Sequence, residues 1–287
     1  MAHGEQTRAA IFAQPEWLRA VRPDVRLPPG RALFTGCGTS FHAAQTGGDA
    51  VQSLELVLAP APEAGVLVLV SHEGSTRLTI EAARAFSGPK WLVTGQAESE
   101  LARLCDEVIV CTPALEESWC HTASYTCAVA QLAALNGEDV SSLPDRVGQA
   151  LREQPAASDH QRWLVVGAGR DWPTAQEAVL KLREGAFVTA EAHHTEQLLH
   201  GHLAAVDEHV RAFVLEGEGR AADRARDAVA ALRELGCDVE LVPTRHPAVD
   251  IVPFQLLTLT LAEARGVDPD RIHRDDPLWA RARAAYS

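Results

Sequence analysis

The sequence is poor in lysine. Of its 26 basic residues only Lys90 and Lys181 are lysines, so almost every positive charge is an arginine. Acidic residues outnumber basic ones, 39 to 26, for a formal charge of −13. A surface this acidic repels phosphodiester backbones and anionic lipid, which argues against nucleic acid or membrane as a partner. No C-x-x-C pair and no zinc spacing occurs among Cys37, Cys105, Cys111, Cys120, Cys127 and Cys237, so the plain reading is reduced thiols in a cytoplasmic protein. No apolar run approaches the ~18 residues of a membrane helix. The first residues lack a basic stretch leading into an apolar one, so no signal peptide is expected. Low-complexity tracts are lacking as well.

What is present is a globular composition, 46% hydrophobic and 23% charged, over 287 residues. That length suggests two domains, each able to bury its own core. Residues 5 to 21 read as an amphipathic helix with Ile11, Trp17, Leu18 and Val21 on one side. Strand signals follow at Ala32–Thr35, Leu54–Leu58, Val66–Val70, Trp91–Thr94 and Val108–Val110, each leading into a loop or helix. This alternation predicts parallel pairing and a doubly wound α/β sheet. The polar stretch from Gln149 to Gln161 marks a boundary. The pattern then restarts with Trp163–Val166, Gly167-Ala168-Gly169-Arg170 and a helix from about Pro173. Strands near Ala212–Leu215 and Val239–Val242 and a helix from Pro253 to Arg265 complete it. The two strand–Gly-x-Gly–helix openings make the halves look like divergent copies. The expected architecture is therefore two tandem three-layer, flavodoxin-like units, residues 1–152 and residues 153–287 with a C-terminal tail.

The chemistry lies in the loops. Glycines in Gly36-Cys37-Gly38-Thr39-Ser40 let the backbone turn after a strand and present N–H groups at a helix start, a setting suited to an anion or an array of hydroxyls. A tight turn with an N-cap is the equally economical reading. The third glycine of a dinucleotide-binding fingerprint is missing. Ser71-His72-Glu73-Gly74-Ser75-Thr76 is a second hydroxyl-rich loop after an apolar strand, and ligands of such sheets sit at the carboxyl ends of strands. A third segment runs from Glu177 through Lys181 and Glu184 to Ala192, beginning as a helix of mixed charge. His193, His194, His200 and His202 follow it without the histidine spacing of a zinc helix, so no metal is expected.

Taken together and in order, these segments resemble the SIS (sugar isomerase) family over nearly the whole chain. Ile11 to Glu16 is similar to that family's opening helix, Gly36 to Ser40 to its first ligand loop, and Ser71 to Thr76 in part to its Ser-x-Ser-Gly-x-Thr loop. Glu116 to Thr126 resembles the segment that closes the sugar pocket. Leu180 to Glu184 with Leu199-His200-Gly201 resembles the catalytic stretch, and Pro253 to Leu257 a C-terminal helix. The resemblance implies an aldose–ketose isomerase, or a related amino-sugar deaminase or deglycase, that needs no cofactor. Glu184 would be the base moving a proton between C1 and C2 of an open-chain sugar. His200, sixteen residues on, would help open the ring and would come from the neighbouring subunit of a homodimer with shared active sites. Gly38, Thr39, Ser40, Ser71, His72, Glu73, Ser75, Thr76, Glu116, His121 and Lys181 would bind the sugar or sugar phosphate.

The chain departs from the family pattern at several places. Glu73 stands where the second serine of the phosphate loop is expected, and unit charges 4 Å apart at an effective dielectric of 20 repel by ~4 kcal/mol. A non-phosphorylated or amino-bearing ligand is one consequence; a side chain turned away from the anion is the other. His-Gly-Pro reads His200-Gly201-His202, Gln197 replaces a glutamate, and the tail from Asp268 to Ser287 has no lysine for a Schiff base. His273 and Arg274 of that tail could reach the site. The alternative class is a non-catalytic sugar-binding regulatory protein.

Overall fold

The structure, a computed structural model, describes residues 3–59 and 63–286. An N-terminal helix α1 (Glu5–Trp17) precedes β1 (Ala32–Thr35), α2 (Thr39–Gly47), α3 (Ser53–Leu58), β2 (Val66–Val70), α4 (Arg77–Ala85), β3 (Lys90–Thr94) and β4 (Glu107–Val110). Helices α5 (Ala123–Leu135) and α6 (Leu143–Ala150) lead to the second run. That run comprises β5 (Arg162–Gly167), α7 (Trp172–Ala186), β6 (Thr189–His194), α8 (Thr195–Leu199), β7 (Val210–Leu215), α9 (Arg220–Glu234) and β8 (Asp238–Val242). Helices α10 (Pro247–Asp250), α11 (Val252–Arg265) and α12 (Pro277–Ala284) end it.

Both sheets are parallel, in the orders β1-β2-β3-β4 and β6-β5-β7-β8. In the second, the chain leaves β5 toward β6 on one side and then returns to β7 on the other, so the winding reverses between β5 and β7. The first sheet winds the same way. Phe34 N–H donates to the Asp49 carbonyl at 2.8 Å, and Val51 N–H to the Phe34 carbonyl at 2.9 Å, which sets Ala50 as a parallel bridge on the outer side of β1. Its reversal therefore falls between β1 and β2, where a crevice opens above the strand ends.

This short edge pairing corrects the expected strand at Leu54–Leu58. Those residues form α3 instead, with Ser53 and Leu56 buried three apart and Leu58 exposed. The alternating pattern Leu-Glu-Leu-Val-Leu suggests a strand, but residues 49–51 already hold the edge of the sheet. The strand β6 runs through the polar Thr-Ala-Glu-Ala-His-His, a sheet edge with little burial, and carries no apolar signal that would predict it.

Side chains alternate across each sheet, as the two-residue period of a strand requires. Leu33, Leu67, Leu69 and Leu92 pack with Leu56 of α3 and Ile80 of α4, while Leu164, Val166, Ala212 and Val214 pack with α9. The opposite faces, Phe34, Val68 and Val93 on one sheet and Trp163, Val165 and Phe213 on the other, belong to one continuous core with α1, α5, α7 and α11. The halves thus share a central core, where two separate ones were expected. A buried amide network fastens this centre: Gln14 of α1 donates to Gln255 of α11 at 2.8 Å and accepts from Thr126 of α5.

Candidate active site

The crevice of the first sheet is a cavity of about 260 Å³. Nine of the residues expected from the sequence line it: Thr39, Ser40, Ser71, His72, Glu73, Ser75, Thr76, His121 and Glu184. Gly38 supplies the turn, in the left-handed region at φ +54. A Cβ at Gly36 would come within 2.8 Å of the Ser40 backbone, so the loop can fold back onto α2 only with glycine there. Ser71 and Thr76 hydroxyls lie 3.5 Å apart at the entry to α4, and Glu73 accepts from the Ser75 hydroxyl at 3.3 Å. Both loops lead into helix starts, whose dipole favours oxygen-rich ligands, although at α2 the Ser40 and Phe41 N–H groups donate to the Cys37 and Gly38 carbonyls at 3.2 and 2.8 Å.

Glu184 comes from the second half, on α7. It is held 2.7 Å from Lys181 Nζ. Lys181 is fully buried, 3.5 Å from Glu177 and 3.2 Å from the Thr39 hydroxyl. Burial alone would lower the lysine pKa; Glu184, and then Glu177, outweigh it and raise it. Glu177 is in turn 2.7 Å from His42 Nδ1 and accepts from Thr39 at 3.2 Å. One buried chain of charges therefore ties the first ligand loop to Glu184. The spacing 177, 181, 184 places three charged groups on one face of a helix, a signal that could have pointed to Glu177; His42 gave none.

Lys181 and Glu116, expected as ligand contacts, stand behind the wall instead. Glu116 accepts from Thr122 N–H and hydroxyl at 2.8 Å, from Ala123 N–H at 3.4 Å, and from Ser124 N–H and hydroxyl at 2.9 and 2.7 Å. Every residue of α5 is buried, so its first N–H groups need an internal acceptor, and a carboxylate is favoured there by the helix dipole as well. His72 Nε2 accepts from Glu116 N–H at 2.9 Å. Burial, with His121 adding to it, pushes the His72 pKa down to about 4. Burial lowers His121 too, against the pull of Glu116 at 4.0 Å. Both imidazoles are neutral at neutral pH.

The cavity also takes in Cys37, Trp119, Tyr125, Ile272 and Arg274. Asp270 brings the tail here: it accepts from Thr7 N–H at 2.7 Å, and its carbonyl accepts from Trp119 N–H at 3.2 Å. Arg274 then lies over the Trp119 ring, 3.4 Å from its centre. His273 turns the other way and stacks on Phe187 at 3.9 Å. His200 does not line the cavity. It is 74% exposed, 3.1 Å from Glu196. A larger cavity of about 590 Å³ lies beneath β7 and β8, but it contains none of the expected residues, and its Arg211 is already paired with Asp238 and Glu240.

Residues 158–267 match the family model of the SIS domain. Glutamine–fructose-6-phosphate aminotransferase [isomerizing] of Symbiobacterium thermophilum is 28% identical over 304 residues, covering 84% of this chain and 50% of that protein. Its namesake of Methanothermobacter thermautotrophicus is 26% identical over 294 residues, with the same coverage of 84% and 50%. The chain thus spans about half the length of these curated relatives. Among solved structures, glucosamine-6-phosphate deaminase from Thermotoga maritima superposes with a TM-score of 0.76 at 20% identity, covering 93% of this chain and 97% of that one. Tagatose-6-phosphate ketose/aldose isomerase from Escherichia coli gives 0.77 at 18% identity, covering 93% and 95%. At these identities the superpositions establish a common α/β fold. The chain carries an SIS domain over residues 158–267 and resembles the SIS (sugar isomerase) family.

Proposed function

We propose that the chain is a sugar isomerase, or a related amino-sugar deaminase or deglycase, built as two tandem SIS-type units over residues 1–152 and 153–287. The observation that carries this is the placement of Glu184. Its carboxylate faces a cavity rimmed by serine and threonine hydroxyls and is fixed from behind by a buried lysine. With an open-chain aldose in the cavity, Glu184 takes the proton from C2, the C2–H electron pair forms the C1=C2 double bond of the enediol, and the carbonyl oxygen O1 takes up a proton to become a hydroxyl. Glu184 then returns its proton to C1 while the O2 hydroxyl gives up its own, which replaces the one taken up at O1, and the ketose results. One carboxylate on the enediol edge serves both carbons. Aldose and ketose share an oxidation level, so the step calls for no redox cofactor.

Thr39, Ser40, Ser71, Ser75 and Thr76 would bind sugar hydroxyls, and His72 and His121, kept neutral, would donate or accept hydrogen bonds without adding charge. His200, exposed and outside its own cavity, would serve the site of a second copy in a cytoplasmic homodimer. Thermal-shift screening of sugars and sugar phosphates, followed by proton exchange at C2 of the hits in heavy water, tests the reading. Exchange supports it. Binding without exchange sinks the enzyme assignment and leaves a sugar-binding regulatory protein.

A further inference from the structure

Charge is unevenly distributed around the cavity. Two carboxylates line it, Glu73 and Glu184, against one guanidinium, Arg274. Lys181 behind the wall does not correct this, because Glu177 at 3.5 Å shares it with Glu184. Glu116 adds a further carboxylate behind the wall, 4.0 Å from His121. His72 and His121 are held neutral by burial. Arg274 lies over the Trp119 ring, its carbonyl accepts from Arg283 at 2.9 Å, and Glu73 already acts on its charge. A phosphate ester, with a charge of about −1.5 to −2 at neutral pH, would enter a lining that is already negative in excess. An ammonium would balance it.

Glu73 is placed to be the group that meets that charge. It stands exposed at the rim, on the loop after β2, and accepts from the Ser75 hydroxyl at 3.3 Å with lone pairs left over. Glu184 enters from α7, and His121 feels the charges of both. Both carboxylates line the same cavity of about 260 Å³, so a sugar whose carbonyl carbons rest on Glu184, as the proposed reaction requires, shares that space with the β2–α4 loop.

We infer that the substrate is an unphosphorylated sugar with an amino group on the carbon remote from its carbonyl, and that Glu73 binds the ammonium and excludes a phosphate there. This rests on the isomerase reading for the placement of the carbonyl.

The test compares 6-amino-6-deoxyhexoses, the parent hexoses and the hexose 6-phosphates in the gluco, galacto and manno series. Binding is measured by calorimetry and C2 exchange in heavy water, for the wild-type protein and for Glu73→Ser. Because Glu73 is exposed on a loop, that substitution leaves the core packing in place. In at least one series the wild-type protein is expected to bind the amino sugar about tenfold more tightly than the parent hexose, the scale of one hydrogen bond to a charged group, and the phosphate weakest. Glu73→Ser is expected to reverse the order of amino sugar and phosphate. A wild-type preference for the phosphate, an order unchanged in Glu73→Ser, or no binding in any series overturns the inference. Retained order without C2 exchange removes the isomerase reading alone; exchange with the phosphate preferred removes the specificity alone.

Discussion

At the carboxyl ends of β1 and β2 the loops hold Thr39, Ser40, Ser71, Ser75 and Thr76 around open space. At the equivalent ends of β5 and β7 the crevice is closed by a side chain. Asp171 accepts from the Thr244 hydroxyl at 2.9 Å, Thr244 accepts from Gly217 N–H at 3.1 Å, and a Cβ at Gly217 would come within 3.2 Å of Asp171. The winding of the two sheets is the same, and both begin with strand, Gly-x-Gly and helix. The difference is that Asp171 and Thr244 bridge the loops of the second half, whereas a cavity stays open between the loops of the first. The second half contributes Glu184 from the side, through α7, so the open crevice of one sheet is completed by a helix of the other.

Several substitutions would sharpen or break this contrast. The largest expected effect belongs to the group that joins the halves. Lys181→Met leaves Glu177 and Glu184 without their shared cation, and breaking a buried pair costs ~3–5 kcal/mol; denaturant unfolding should show the loss, and C2 exchange should fall with it. A loss under about 1 kcal/mol, the scale of an exposed pair, would show that the charges are not buried together.

Next comes the closed crevice. Asp171→Ala removes a buried acceptor from the half-buried Thr244 hydroxyl and should cost about 1 kcal/mol without changing ligand binding in the first sheet. Its counterpart, Thr76→Ala, should weaken sugar binding severalfold while stability stays within ~0.5 kcal/mol. If the two substitutions exchanged their effects, the assignment of one crevice to binding and the other to structure would be wrong.

A further contrast concerns pH. His72 has its pKa lowered to about 4 by burial, from an ordinary value of 6.5. As pH falls below 6.5 the unfolded chain takes up this proton and the folded chain does not. Stability is therefore lost between pH 6.5 and about 4, below which both states are protonated and the loss levels off. His72→Gln should flatten that part of the stability profile. His121 and His246, also lowered by burial, keep the same sign of slope, so flattening is expected rather than disappearance. An unchanged profile would mean that His72 is solvated.

The features legible in the sequence were those written locally. The glycines and hydroxyls of Gly36–Ser40 and Ser71–Thr76 announce a turn and a helix start within a few residues, and the hydroxyls do line one cavity. The strands with continuous apolar runs, such as Val66–Val70, were equally plain because both faces are buried. The alternation at Leu54–Leu58 misled because the competition for the sheet edge was settled by residues 49–51, a tertiary matter. Glu116 looked like a ligand contact because its role depends on the burial of all of α5, seven residues later. Arg274 reaches the cavity only because Asp270 fastens the tail to α1 and to the Trp119 loop, a connection spanning more than 260 residues.

Whether the open crevice does chemistry is decided most directly by proton exchange at C2 of a bound sugar in heavy water, followed by nuclear magnetic resonance on the wild-type protein and Glu184→Gln side by side. The account predicts exchange in the wild type and a loss of about 10²–10⁴-fold in the variant, the usual contribution of a general base, with ligand binding and a folded, cooperatively melting protein retained. Exchange of equal rate in both proteins would contradict it.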